Sequence, residues 1–428
     1  MATDMRQAAV PAEADLSNLD FWARPRRERE RGFARLRERD RPAFFPELKL
    51  PFIKHGPGYY ALVRHADVVE ASRNPEVFSS EPCSNCVADL PPYLARYFGS
   101  MINMDDPRHA KIRRVVSRAF TPRVLAKLES DLQATATRIV DELDGPGDFV
   151  TDVAARLPLQ VICDMMGIPE RLRPMVYERS NTILGLGDPE YSGGRTYEQG
   201  ITRAGVLYGL TAVMAAGYEL NHLAMKLARR RRREPGDDLV SALVHANVDG
   251  ESLTDQEIGS FFILLVVAGN ETTRNAMSHG LKLLTDHPEQ RALLMEDFDG
   301  RIGGAVEEIV RMATPVIQFR RTVTREYEMN GHLYRPGDKV LLFYNSANRD
   351  AAVFEDPDTF DITRAPNPHV GFGGPGPHYC LGANLARREI TVMFRELFTR
   401  VPEIRAAGRP ERLFSNFING IKHLPFDY

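Results

Sequence analysis

The 428-residue chain has little cysteine, four residues in all, and a single tryptophan. Thiols at 83, 86, 163 and 380 are too few and too scattered for a disulfide framework in a chain this long, so a reduced protein is expected. They also form no cluster of the kind that holds an iron–sulfur centre. Cys83-Ser84-Asn85-Cys86 has zinc-like or redox spacing, yet no second ligand pair and no strand-turn-helix context accompanies it, and it reads as incidental. Long apolar runs are missing as well. The longest, Phe261 to Ala268, falls far short of the roughly 20 residues that cross a bilayer, so no integral membrane segment is expected. Met1 to Asp15 lacks the charged start and apolar core of a signal peptide, which points to a cytoplasmic location. A net charge of −3 argues against nucleic acid as a partner. The run Arg229 to Arg233 follows an apolar helical stretch and precedes Pro235-Gly236-Asp237-Asp238, so it reads as a solvated helix end. No GxGxxG opens a βαβ unit, which excludes a built-in dinucleotide site.

With 43% hydrophobic residues the chain can bury a large core. Residues 1–45 are polar and arginine-rich and read as an N-terminal tail and first helix; residues 46–428 read as one domain. Helical periodicity runs through 123–144, 151–166, 170–186, 199–233, 237–248, 254–285 and 287–312. Thr254-Asp255-Gln256-Glu257 is a capping-box pattern opening the longest of these. Strands are expected at Tyr59 to Val63, Arg321 to Thr324 and Lys339 to Phe343, with a helix from His65 to Ala71. The expected class is mainly α with a minor β portion, in a single domain.

Cys380 lies in Gly371-Phe372-Gly373-Gly374-Pro375-Gly376-Pro377-His378-Tyr379-Cys380-Leu381-Gly382, a glycine-rich loop running into the helix-favouring Ala383 to Ile390. Glycines let backbone approach a flat group and aim amides at sulfur, and a helix N-terminus favours thiolate over thiol. That setting suits a cysteine ligating haem iron. Within the longest helix, Ala268-Gly269-Asn270-Glu271-Thr272-Thr273 gathers poor helix formers, at about 1 kcal/mol for the glycine alone. Thr272 can turn its hydroxyl to the carbonyl of Ala268 and open a polar groove. Such a groove suits bound O2, with Thr272 donating to it and Glu271 relaying protons from solvent. Glu308 and Arg311 stand at i, i+3 on one helical face. His109 and Arg113 share a helical face and suit a pair of acidic groups, for which Arg320, Arg321 and His378 offer further donors.

With these pieces in this order, the sequence resembles the cytochrome P-450 family of haem-thiolate monooxygenases over essentially its whole length. The resemblance implies the family's triangular, mostly helical fold with a small sheet at one side. It implies haem b with Cys380 as axial thiolate, Ala268 to Thr273 as the oxygen-activation motif with Thr272 and Glu271 catalytic, Glu308 and Arg311 as a structural pair, and His109, Arg113, Arg321 and His378 as propionate binders. Asn348-Arg349-Asp350 with Phe354, Pro357, Phe360 and Arg364 is similar to the meander that closes the Glu-Arg network. The loop departs from the family pattern in one respect: Phe372 lies eight residues before Cys380, where the family has its aromatic at seven, so the loop holds one extra residue. Phe98 to Ile102, Cys163 to Pro169, Phe261 to Asn275 and Gly382 to Arg388 look like the actinobacterial enzymes that hydroxylate the terminal methyl of methyl-branched lipids, with sterol side-chain hydroxylases as near relatives. Only eight of the 55 basic residues are lysine, in keeping with GC-rich coding. The implied reaction inserts one atom of O2 into an unactivated C–H bond of an apolar small molecule. Electrons from NAD(P)H would come singly through a ferredoxin and its reductase, docking where Arg113 or Arg387 receive an acidic protein. Phe98, Met101, Ile102, Leu264, Val267, Ala268, Val316 and Phe417 are the expected substrate-pocket residues. A haem peroxygenase or a haem sensor would not need the Glu271-Thr272 pair.

Overall fold

The computed structural model describes residues 11–89, 91–117, 120, 129–185, 187–192, 202–248 and 250–428. The helices used below are α1 (Arg26–Arg37), α2 (His65–Arg73), α3 (Pro92–Phe98), α4 (Arg108–Ser117), α5 (Glu129–Asp141), α6 (Arg156–Met165), α7 (Arg173–Leu184), α8 (Arg203–Arg233), α9 (Asp255–Asp286), α10 (Phe298–Ala313) and α11 (Ala383–Arg400). The strands of the main sheet are β1 (Ala43–Phe45), β2 (Tyr59–Leu62), β3 (Phe78–Ser79), β4 (Gln318–Val323) and β5 (Lys339–Phe343).

Helix α9 is the axis of the fold. Its start is fixed by a capping box: the Glu257 amide donates to Thr254 Oγ1 at 3.2 Å, and the Thr254 amide donates to Glu257 Oε2 at 2.8 Å. From Ile258 to Leu284 it is buried on nearly every side, so α6, α8, α10 and α11 pack around it in one continuous apolar core. A fully buried leucine or phenylalanine in such a core contributes about 1.5–3 kcal/mol. Gly269 has a second explanation here besides the groove: a Cβ at this position would sit 3.2 Å from Ile162 of α6, so glycine lets the two helices close.

The sheet runs in the order β1-β2-β5-β4-β3, with β2 and β5 parallel and the other pairs antiparallel. One apolar cluster covers one side of it, built on Phe21, Trp22, Phe33 and Phe343; a second, built on Val68, Phe78, Tyr334 and Leu342, belongs to α2 and the other side. The stretch ending at residue 45 holds two helices, Leu19–Ala23 and α1, and its last residues are strand β1, paired with β2. It is thus built into the sheet layer.

Two expected helices are shorter than their periodicity suggests. The span 287–312 is two helices, because Asp297 turns out of the helix and caps the second by accepting from the Gly300 amide at 3.0 Å. The span 237–248 stops at Val244, after which Asn247–Val248 and Glu251–Ser252 pair as a hairpin. Part of the expected 123–144 helix lies outside the described residues; α5 covers the rest. Three of the five arginines in the run at the end of α8 are paired: Arg230 with Glu234, Arg231 with Asp238 and Arg232 with Asp255. This is the solvated helix end the sequence suggests. Among the described residues no helix is long and apolar enough to cross a membrane.

Candidate active site

The Cys380 loop is shaped by glycine where no other residue fits. Gly373 takes φ +90° and Gly376 φ +155°, and a Cβ on Gly376 would lie 2.1 Å from the Ser72 carbonyl oxygen of α2. The Cys380 amide donates to the Phe372 carbonyl at 2.9 Å, while the Phe372 ring lies half-buried beneath the Arg387 guanidinium at 4.3 Å. Cys380 is exposed on one side and closely surrounded by protein on the others. Burial pushes its thiol up, opposed by the Gly382 amide at the start of α11 and by the charges of Arg113 and Arg387.

Above this loop four basic side chains converge with little to neutralise them. The rings of His109 and His378 are 4.3 Å apart. His378 Nε2 meets Ser80 Oγ at 3.0 Å. Arg113 donates to the Tyr379 carbonyl at 2.6 Å, and buried Arg321 donates to the Arg320 carbonyl at 2.8 Å. Burial lowers the pKa of all four, and His378 falls to about 2 because Arg321, His109 and Arg113 add their repulsion. His109 Nδ1 faces Asp106, while its Nε2 is buried without a hydrogen-bond partner. A dianion such as the two propionates of a haem fits this cluster, since it supplies the missing charge and the missing acceptor. Arg320 is not part of it. Successive residues of a strand face opposite ways, and Arg320 reaches Asp89 at 2.6 Å and the Val87 carbonyl at 3.0 Å.

On α9, Thr272 Oγ1 donates to the Ala268 carbonyl at 2.8 Å, the bond that its spacing suggests. Ala268 is exposed although it lies midway along the most buried helix, so the wall of α9 borders open space at this point. Glu271 points elsewhere. It is buried in an ion pair with Arg274, its Oε1 also accepting from Asn275 at 3.1 Å, and Arg274 is held by Asn181 of α7 at 2.9 Å. Its Oε2 is buried with no partner. Glu271 therefore has no direct path to solvent in this arrangement.

Glu308 and Arg311 are completely buried and joined by two bonds of 2.7 Å. Arg311 also donates to the carbonyls of Asn348, Pro357 and Thr359, and Glu308 accepts from the Asp361 amide, Asn367 and Arg364. One side-chain pair thus organises the irregular segment from 348 to 367.

Two carboxylates, Glu307 and Glu389, escape a reading of the sequence. Glu307 binds Arg387 through both oxygens, at 2.5 and 2.9 Å, and His369 at 2.9 Å. Its pKa falls to about 2 as those hydrogen bonds and charges overcome burial. Arg387 is accordingly committed to the loop, which leaves Arg113 and its neighbours on α4 to line the surface cleft of about 350 Å³ formed with Gly376 and Pro377. Glu389 of α11 is buried beside Thr273, and burial raises its pKa to about 8, which favours the protonated acid. The i, i+3 spacing of Glu271 and Arg274 was a usable signal; the others depend on residues distant in sequence.

Of the expected pocket residues, Phe98, Met101, Leu264 and Val267 join the large apolar cluster. Val316 bridges to Ile418, the Ile317 amide donates to the Phe417 carbonyl at 2.7 Å, and the Phe417 ring packs edge-on against Phe319 at 5.5 Å. Ile102 is half-buried, its carbonyl accepting from Ser84 Oγ at 2.6 Å.

A mostly helical domain with a glycine-framed cysteine and an uncompensated cationic cradle defines a haem-thiolate protein. The family model for cytochrome P450 matches residues 216–400. The chain is 48% identical to the methyl-branched lipid omega-hydroxylase of Mycobacterium tuberculosis over 97% of its length and 94% of that protein. It is 41% identical to the steroid C26-monooxygenase of Mycolicibacterium smegmatis, covering 87% of this chain and 84% of that one. A Mycobacterium marinum cytochrome P450 solved in complex with pseudoionone superposes with a TM-score of 0.92 at 42% identity, covering all of both chains. The chain belongs to the cytochrome P450 family and is a haem-thiolate monooxygenase.

Proposed function

We propose that this monooxygenase hydroxylates the terminal methyl of a methyl-branched fatty acid or isoprenoid lipid. The observation that carries the reading is the character of the α9 wall: Leu264, Val267 and exposed Ala268 lead to a single hydroxyl, Thr272, with no charged side chain among the residues assigned to the pocket. Such a surface favours an apolar chain, each buried methylene contributing about 0.8 kcal/mol. The resemblance at 48% identity to a methyl-branched lipid omega-hydroxylase supports the terminal position. The likeness to steroid C26-monooxygenases makes a sterol side chain the second reading.

Bound haem, ligated by Cys380 and held through its propionates by His109, Arg113, Arg321 and His378, supplies O2 activation and the oxidation of the C–H bond. The protein supplies placement and protons. Thr272 holds a proton at Oγ1, and Glu271 precedes it on α9, so the Arg274 clamp must loosen for Glu271 Oε2 to pass protons inward. Electrons come from NAD(P)H through a ferredoxin and its reductase, docking on the α4 cleft by way of Arg113. The experiment is a spin-state titration of the haem with branched acids, linear acids of equal length and sterols, followed by mass spectrometry of the reconstituted reaction. Stronger shifts for branched chains and a terminal alcohol are expected. Predominantly in-chain products, or equal shifts for branched and linear chains, would remove the reading.

A further inference from the structure

The hairpin that begins the main sheet has a long connection. Strands β1 and β2 pair directly, yet the chain between them runs from Pro46 to Gly58, where about two to five residues join most hairpins. Its base is pinned. Buried Glu47 accepts from the Gly56 amide at 3.2 Å, its carbonyl meets His55 Nε2 at 3.2 Å, and its carboxylate accepts from Lys339 of β5 at 2.7 Å. A Cβ on Gly56 would fall 2.1 Å from Glu47 Oε1, so the two ends of the loop lie against each other. Asp89, also at the base, is held by Arg320 and Lys339.

The tip runs against ordinary preference twice over. Leu50-Pro51-Phe52-Ile53 closes with the Ile53 amide donating to the Leu50 carbonyl at 3.4 Å, and Phe52 stands at the third position with φ +66°. Proline second and a positive φ third describe a type II turn, whose third residue is ordinarily glycine. A phenylalanine there is strained locally, and its side chain gains nothing from the fold: the residue is 60% exposed and joins none of the apolar clusters. Leu48 is exposed too, and Leu50, Pro51 and Ile53 are half-buried. Lys49 and Lys54 flank the turn, both exposed and without an ion pair among the described residues. The only carboxylate of the loop is Glu47, committed to Lys339.

We propose that this loop is a membrane-docking element, which rests Phe52 and its apolar neighbours in the headgroup region of an anionic lipid bilayer and sets Lys49 and Lys54 against its phosphates. An aromatic ring bounded by lysines suits that boundary, because the ring leaves water while the ammonium groups stay in it on stems that run along apolar surface. Lysine argues for lipid over a protein partner. Only eight of the 55 basic residues of the chain are lysine, yet both charged side chains at the tip are lysine, the residue that protein interfaces avoid in favour of arginine. The base of the loop also adjoins the approach to the pocket assigned above: Lys339 reaches the Val87 carbonyl at 3.3 Å, and the chain that follows enters α3, which ends at Phe98 shortly before Met101. Docking itself does not rest on the substrate reading.

The test is co-sedimentation of the haem-loaded protein with vesicles of phosphatidylglycerol and phosphatidylcholine in equal parts, against vesicles of phosphatidylcholine alone, with unfolding in urea measured alongside. The wild type should pellet with the anionic vesicles at about millimolar lipid and be released by salt at about 0.5 M. Lys49→Gln combined with Lys54→Gln should weaken binding about tenfold or more. Phe52→Gly should weaken it about threefold or more while the urea midpoint holds or rises, because glycine suits the turn. A merely structural phenylalanine would lose stability on the same change, so a fall in the midpoint overturns the docking role. A wild type that stays in the supernatant, or a Phe52→Gly protein that pellets as the wild type does, overturns it as well. Equal pelleting with phosphatidylcholine alone would trace capture to the apolar pocket and likewise overturn it. Dimerisation that Phe52→Gly abolishes, seen by sedimentation velocity where no vesicle binding occurs, would assign the loop to a second copy of the chain instead. Spin-state titration with lipids reads the substrate separately, so its failure leaves vesicle binding standing.

Discussion

Replacing Glu389 by glutamine should stabilise the protein increasingly as pH rises. Glu389 is buried in α11 beside Thr273, and burial raises its pKa from 4.5 to about 8. Below pH 4.5 the carboxyl is protonated in both folded and unfolded chains and contributes no pH dependence. Between 4.5 and 8 the unfolded chain has given up the proton and the folded chain has kept it, so the unfolded state binds fewer protons and stability falls as pH rises. At 1.36 kcal/mol per pH unit the gap corresponds to about 5 kcal/mol, an upper bound reached above pH 8. Glutamine keeps the shape and a partner for Thr273 but carries no charge at any pH. The assay is urea unfolding of the haem-loaded wild type and Glu389→Gln at pH 5.5, 7 and 8.5. The variant should gain on the wild type at each step, by several kcal/mol across the series. Two curves that stay parallel over this range would refute the argument, since they would mean that the folded chain ionises Glu389 as readily as the unfolded one.

Three further outcomes are expected. Thr272→Ala should keep haem and substrate binding but yield less product per NAD(P)H consumed, because the α9 wall loses its only hydroxyl proton at that point; coupling in a reconstituted system measures it. Arg311→Ala should cost at least about 3–5 kcal/mol by leaving Glu308 buried and unpaired, with three more carbonyls unsatisfied, so expression should give little haem-loaded protein by absorbance. Cys380→Ser should lose the carbon-monoxide band of thiolate-ligated iron, while Cys83→Ser keeps it.

Features carried by local spacing were legible in the sequence. The capping box at Thr254 and the Thr272 bond to Ala268 lie within a few residues of their partners, and the positive φ of Gly373 and Gly376 belongs to the turn before Cys380 itself. The Glu308-Arg311 pair was legible too, but its burial was not, since the carbonyls it satisfies lie 37 to 48 residues further on. Glu307 and Glu389 looked like ordinary helical carboxylates for the same reason: what sets their charge, Arg387 and His369 for the first and burial for the second, arrives by folding. Arg387 read as a docking cation, and its pairing with Glu307, 80 residues away, was not legible. The break at Asp297 was missed because the periodicity on both sides of it continues in phase across one capping residue.

Adjacent carboxylates on α10 serve two separate masters. Glu307 reaches Arg387 and His369 on either side of the cysteine loop, and Glu308 reaches Arg311 and the segment from 357 to 367. Consecutive residues on a helix point about 100° apart, so a single rotation of α10 sets both assignments at once. Inserting one residue between Phe298 and Glu307 would turn Glu307 toward the partners of Glu308 and carry Glu308 past them, and deleting one would do the converse. The helix therefore acts as a two-tooth key, and it should tolerate substitution along its outer face far better than any change of length.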